Sequence, residues 1–259
     1  MFDPSNWFQA FFIIPILNIL MGFYSLLSFL HIPFPLGFSL ILLTIAIRLI
    51  LNPLTISQIK SSQKLARLKP ELDKLSQQYR DDKQRLHQEQ LKLYQQAGIN
   101  PAAGCLPLLI QMPILIALYW VFRRASEGAV EQLLYSFVPK PENLNAKFLG
   151  TIDLTRPEVY ILPVLAGASQ FWQSWMILSR AKKDDKKLGL KEKKTPQDTT
   201  SMITKQMNYI FPIITVVFAA SLPSAIALYW VTTNLFSIGQ QYIILRGELT
   251  KPKVIVRRK

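Results

Sequence analysis

Long apolar stretches that contain no acidic residue constrain this chain more than any other feature. Five of them, at about 37–58, 105–122, 159–179, 206–220 and 224–245, hold none of the sixteen Asp and Glu residues. A bilayer core is crossed by roughly 20 apolar residues in helical form. Lipid offers no partner to a peptide group, so each crossing must satisfy its own backbone, which a helix does. The expected fold is therefore all-α and polytopic, with five transmembrane helices. Pro53, Pro107, Pro113, Pro163 and Pro212 fall within these stretches. Membrane helices tolerate them where neighbouring groups satisfy the freed carbonyls.

The charge balance is strongly basic, with a formal net charge of +14. Such a balance raises nucleic acid as a partner, but the placement of the charges points elsewhere. Lys and Arg are absent from 1–36; nine lie in 59–104, five in 123–158, nine in 180–205 and six in 246–259. Twenty-four of the thirty therefore share one side if the amino terminus is outside and the carboxyl terminus inside. The positive-inside rule favours that orientation in a cytoplasmic membrane. The basic charge is thus mainly a topology signal, with anionic lipid and ribosomal RNA as secondary contacts and no specific DNA partner.

Residues Trp7 to Leu30 form a further 24-residue stretch without charge. It lacks the positive n-region of a secretory signal. A sixth span there would place a Lys/Arg-free terminus in the cytoplasm, against the charge bias. The expectation for 1–36 is an amphipathic helix in the outer interface, with a span as the alternative.

The connection 59–104 differs in kind. Leu65, Leu68, Leu72, Leu75 and Tyr79 recur at helical spacing, Asp81-Asp82 breaks the run, and Leu86, Leu93 and Ala97 resume it before Gly98. This predicts two amphipathic helices folded as a cytoplasmic hairpin. Pro70 should kink the first helix or open a fresh one. Within the loop 180–205, the stretch 180–200 is charged and poor in core residues, which predicts a mobile segment. The tail 246–259 is basic.

One cation interrupts the apolar pattern. Arg48 lies in the first crossing and stays protonated at physiological pH. A helix-centre Arg costs roughly 2.5–3.5 kcal/mol on insertion scales. At about 100° per residue, Thr44, Arg48, Asn52 and Thr55 share one face of a straight helix. Gln111 lies in the second crossing, Gln170 and Gln173 in the third and Thr215 in the fourth. In the fifth, Trp230, Thr233, Asn234, Ser237 and Gln241 fall on one side. Intramembrane polar groups face a bundle interior or a wet cavity. Two readings follow: Arg48 is satisfied structurally by amides and carbonyls, or it faces a hydrophilic groove and offers its charge to an anionic group.

Chemistry of other kinds finds no support. Cys105 is the only cysteine, so no internal disulfide is expected, and His31 and His87 have no ligand-like partners at short spacing. No phosphate loop, dinucleotide glycine pattern or nucleophile elbow is present. No enzyme activity, metal or cofactor is expected. The pattern P-x-x-I-A-L-Y-W-V occurs twice, at 113–121 and 223–231, on crossings of opposite direction. Inverted repeats mark transporters. A small-molecule transporter with an intramembrane Arg site is therefore the alternative function.

The ordered set "GFSLILLTIAIRLILNPLT", "DDKQR", "INPAAGCLPLLIQMPILIALYW", "FLGTIDL", "YILPVLAG" and "MNYIFPIITVVFAASLPSAIALYWVTTNLFSIGQQ" resembles the YidC-type membrane protein insertases, which have mitochondrial and plastid relatives. The resemblance implies an insertase and chaperone that acts without consuming nucleotide. It implies five helices around a hydrophilic groove, open to cytoplasm and lipid and closed toward the outside. Within that resemblance the groove arginine matches Arg48, the preceding threonine Thr44, the third-crossing glutamine Gln173 in preference to Gln170, and the aromatic residue Trp230. Asn52, Gln111 and Asn234 complete the candidate groove. Nascent membrane proteins, the ribosome, the Sec translocon, signal-recognition targeting factors and membrane lipids are the implied partners. The hairpin 59–104 is implied to receive substrates. Relatives with a large outer domain carry it before the first conserved crossing, where this chain has 36 residues, and relatives often have another Gln and a Lys where Ser174 and Trp175 stand.

Overall fold

The computed structural model describes residues 7–98, 106–128, 130–141, 144–187 and 199–248. Cys105, the middle of the loop 180–205 and most of the tail 246–259 lie outside the described residues. The chain is mostly helical. A π-helical turn, Gln9–Ile13, leads into α1 (Ile14–Phe29), followed by α2 (Pro35–Ile50), α3 (Asn52–Gln78) and α4 (Lys83–Gln96). After these come α5 (Leu106–Ser126), the strands β1 (Lys147–Phe148) and β2 (Ile152–Asp153), α6 (Ile161–Lys187), α7 (Thr199–Ser221) and α8 (Ser224–Glu248).

Leu17, Leu20, Met21 and Tyr24 repeat at helical spacing along α1 and are buried. They pack this helix against α2, while the π-helical turn and α1 also meet α5. The stretch Gln9–Phe29 is long and apolar enough to cross a membrane.

The stretch 37–58 is not the straight helix that its periodicity predicts. It bends by 62° between α2 and the start of α3. Pro53 sits in the first turn of α3. Its ring nitrogen has no hydrogen for the carbonyl four residues back, and the ring crowds that carbonyl, so a straight helix cannot pass through it. Arg48 therefore ends one helix, whereas Asn52 and Thr55 begin the next. Their common face is broken at Leu51.

The long helix α3 continues through position 70, so no fresh helix begins there. It stops at Tyr79, and α4 starts after Asp82, whose Oδ1 accepts a hydrogen bond from the Arg85 backbone N–H at 2.9 Å. The aspartate pair thus does more than break the run, since Asp82 serves as the N-cap of α4. The helices α3 and α4 touch one another.

The strongest packing joins α6 to α7 and α8, followed by α1 to α2 and α2 to α8. Gly167 lets α6 and α7 approach closely, since a Cβ there would lie 2.3 Å from Val216 Cγ2 and 3.1 Å from the Pro212 carbonyl oxygen. Small residues serve this purpose where helices meet in lipid.

The connection between α5 and α6 folds over one end of the bundle. In the antiparallel pair β1–β2, Lys147 faces Asp153 and Phe148 faces Ile152. Phe148 is buried edge-on against Phe34 and Phe38. Ser224, the first residue of α8, donates its hydroxyl toward the Asp153 and Arg156 carbonyl oxygens at 2.5 and 2.6 Å. The Ser224 and Ala225 N–H groups bond the Arg156 and Leu154 carbonyls at 2.9 and 3.1 Å. Asn18 ties the same connection to α1. Its amide nitrogen donates to Leu133 O at 3.0 Å, and its oxygen accepts from the Tyr135 N–H at 2.7 Å. The Tyr24 hydroxyl accepts from the Asn145 N–H at 3.2 Å.

Glu158 caps α6 by accepting the Tyr160, Ile161 and Leu162 N–H groups at 2.7–2.9 Å. Desolvation opposes its ionisation, but the bonds from Ile161, Leu162 and Tyr160 outweigh it and hold the carboxyl below its ordinary range.

Candidate functional site

Arg48 stands in the last turn of α2, half-buried. Its Nη2 donates to Gln111 Oε1 of α5 at 3.3 Å. The Gln111 Nε2 in turn donates to the Tyr229 hydroxyl oxygen of α8 at 2.6 Å. Donor chemistry fixes the sense of this chain. A guanidinium only donates, so the amide must turn its oxygen toward Arg48 and its NH₂ toward the phenol. Three helices are thereby joined by one relay. Among the described residues Arg48 makes no ion pair.

A second polar link lies where α3 begins. Asn52 Oδ1 accepts a hydrogen bond from Gln240 Nε2 of α8. It fastens the α2–α3 bend to α8. Gln240 and Gln241 are both buried, and the side-chain oxygen of each has no hydrogen-bond partner among the described residues.

The other predicted residues separate into different roles. Thr44 is 1% exposed and returns its hydroxyl to Leu40 O at 2.6 Å, so it presents no free donor. Thr55 and Thr215 likewise bond the carbonyls of Leu51 and Phe211, at 3.0 and 2.9 Å. Asn234 is 2% exposed and donates to Ser169 Oγ at 3.0 Å and Ala166 O at 3.4 Å. It ties α8 to α6, a helix–helix role, and does not join the Arg48 relay. Thr233 and Ser237 are buried on the same helix. Gln170 and Gln173 are half-buried on α6, and no hydrogen bond among the described residues connects them to Arg48. Trp230 is half-buried and packs against the core.

Sequence periodicity missed Tyr229, Gln240 and the full use of Asn18. Tyr229 is fully buried beside Trp230, and in a "LYW" run an aromatic is indistinguishable from core until its hydroxyl finds a partner. Gln240 was overshadowed by its neighbour Gln241; either could have been the inward residue. Asn18 in an apolar stretch was the available signal for an outside tie.

Among the described residues α5 packs on the π-helical turn, α1, α3 and α8, and makes no extensive contact with α6 or α7. Apolar helices with a half-buried cation among them, which makes no ion pair among the described residues, are the pattern of a helical membrane protein. The family of 60Kd inner membrane proteins matches residues 25–251. A relative called membrane protein insertase YidC, from Fusobacterium nucleatum, is 36% identical over 210 residues, covering 81% of this chain and 86% of the relative. The protein of the same name from Chloroherpeton thalassium is 34% identical over 250 residues, 96% of this chain and 38% of its own length. That from Haemophilus influenzae is 36% identical over 213 residues, 82% of this chain and 33% of its own length. The chain thus spans most of the first relative and well under half of the other two. It belongs to the 60Kd inner membrane protein family, which is not a family of enzymes.

Proposed function

We propose that this chain is a membrane protein insertase and chaperone with a positively charged groove formed by its five crossings. The observation that carries the reading is Arg48, held by the neutral amide of Gln111 and without an ion pair among the described residues. Its charge is directed by the fold but not cancelled by it. A polar or acidic segment of a nascent membrane protein enters beside Arg48, where a partly desolvated setting strengthens Coulomb attraction. The adjoining apolar helix then moves into lipid, driven by burial at about 25 cal/mol per Å². Names carried by the relatives support this function.

In the same proposal the amino terminus is outside and the carboxyl terminus inside, with residues 1–36 at the outer interface. The connection docked on Ser224 and Phe148 closes the outer end, and the α3–α4 hairpin receives substrates on the inner side. The ribosome, the Sec translocon and targeting factors approach from that side. The nearly fivefold excess of Lys and Arg there supports the orientation, at twenty-four against five, with Arg48 left out of both.

Reconstitution in liposomes tests the function. The purified chain should protect an added substrate tail from external protease while leaving small solutes impermeant. Solute flux without tail protection would replace the insertase by a transporter. Orientation is read with thiol reagents in a Cys105→Ser background. A cysteine placed at Asn145 should label from outside intact cells and one at Lys191 should not; the reverse pattern would invert the bundle.

A further inference from the structure

We infer that Gln111 is a positioning residue that keeps the charge of Arg48 available, and that its neutrality sets which client tails the site accepts. The inference rests on the reading of Arg48 as the site for anionic groups, and it assigns Gln111 a role other than contact with the client. Gln111 lies between two buried or half-buried partners. Its oxygen accepts from Arg48 at 3.3 Å and its nitrogen donates to Tyr229 at 2.6 Å. Each end of the amide thus holds one partner within the bundle, which fixes its orientation.

What the amide does can be seen by comparing it with the groups that could replace it. A carboxylate in that place would also accept from the guanidinium, and ion pairs of this type are about twice as strong as neutral bonds. Membrane arginines commonly pair with acids or carbonyls. No described residue supplies a carboxylate to Arg48. A glutamine gives the same reach without the charge, so the guanidinium is aimed and remains a cation. The 3.3 Å separation is at the long end for N–H···O, and a longer bond is more easily exchanged for an incoming anion. The Tyr229 hydroxyl anchors the far end of the amide. It keeps the oxygen facing Arg48 after a client has taken the guanidinium, so the resting state is re-formed on release.

The decisive variant is Gln111→Glu, which is nearly isosteric. It places a negative charge beside Arg48 and can retain contact with Tyr229. A network that is merely structural would accept it without changing client preference. The measurement is insertion of one client carrying acidic, neutral or basic tails, in matched vesicles, expressed as ratios within each protein sample. Those ratios do not depend on how much of the variant folds. Gln111→Glu should lower the acidic-to-neutral ratio by roughly tenfold, the factor equivalent to about 1.4 kcal/mol, and should raise the basic-to-neutral ratio. Gln111→Met, which loosens Arg48 without neutralising it, should leave the sign of the tail preference unchanged. If Arg48→Leu abolishes the preference for acidic tails and Gln111→Glu preserves it, the role assigned to Gln111 is overturned while the Arg48 site stands. If Arg48→Leu itself leaves the ratios of the wild-type protein unaltered, the anionic site fails, and this inference with it.

Discussion

Arg48→Glu is expected to cut insertion of clients with acidic tails by well over tenfold while sparing neutral, strongly apolar clients. Two unit charges 4 Å apart interact by about 4 kcal/mol at an effective dielectric of 20. Reversing the sign turns that attraction into a repulsion of similar size, of which solvent screens a part. Arg48→Leu should be less severe, losing attraction without adding repulsion. It should also accumulate well. The variant removes the roughly 2.5–3.5 kcal/mol cost of a charge at membrane depth. Against this it leaves the Gln111 oxygen without its donor, at about 1–3 kcal/mol if that oxygen finds no water. Arg48→Lys should keep much of the activity, because a cation remains although the planar fork is lost. The three variants are compared at matched expression against a client series of graded tail charge. Insertion that follows the amount of folded protein and ignores tail charge would make Arg48 a structural residue.

The second large effect concerns the contact between α2 and the connection that joins α5 to α6. A Cβ at Gly37 would lie 2.0 Å from Phe148 Cδ2. Phe148 cannot swing away freely, since it is buried and meets Phe34 and Phe38 edge-on at 6.4 and 5.8 Å between centroids. Gly37→Val should therefore force the β1–β2 pair off the bundle. Overpacking of this kind costs about 1–3 kcal/mol. The predicted readout is faster proteolysis within 144–160 and a lower midpoint of thermal unfolding in detergent. Phe148→Leu combined with Gly37→Ala should recover part of the loss, because contacting substitutions do not add. Unchanged proteolysis in Gly37→Val would show that Phe148 does not hold this connection in place.

Arg48 shows where sequence and tertiary structure divide the determination of this protein. Its isolation was legible from the sequence, because an always-protonated side chain in an acid-free apolar stretch needs no partner list to be conspicuous. The helices were legible for the same elementary reason, as apolar runs and breaks such as Asp81-Asp82 are local properties. The basic hairpin was equally plain, and so was its turn at 79–82.

Periodicity on a single helix could not decide which polar groups meet. It set Thr44, Arg48, Asn52 and Thr55 on one straight face, but Pro53 bends the chain by 62° and places the last two on another helix. Asn234 looked like a companion of Arg48, yet α8 turns it toward Ser169. Tyr229 looked like core, yet its hydroxyl completes the Arg48 relay through Gln111. Gly37 is one glycine among ten in the sequence and becomes special only under the ring of Phe148, more than a hundred residues away. Helical class, the uneven spread of charge and a cation within an apolar run could all be read from the residues in order, because hydrophobicity and protonation belong to single residues. The cation's partner and the fit of Phe148 over Gly37 came only with the folded chain, because hydrogen bonds and steric fit belong to pairs brought together from distant parts of it.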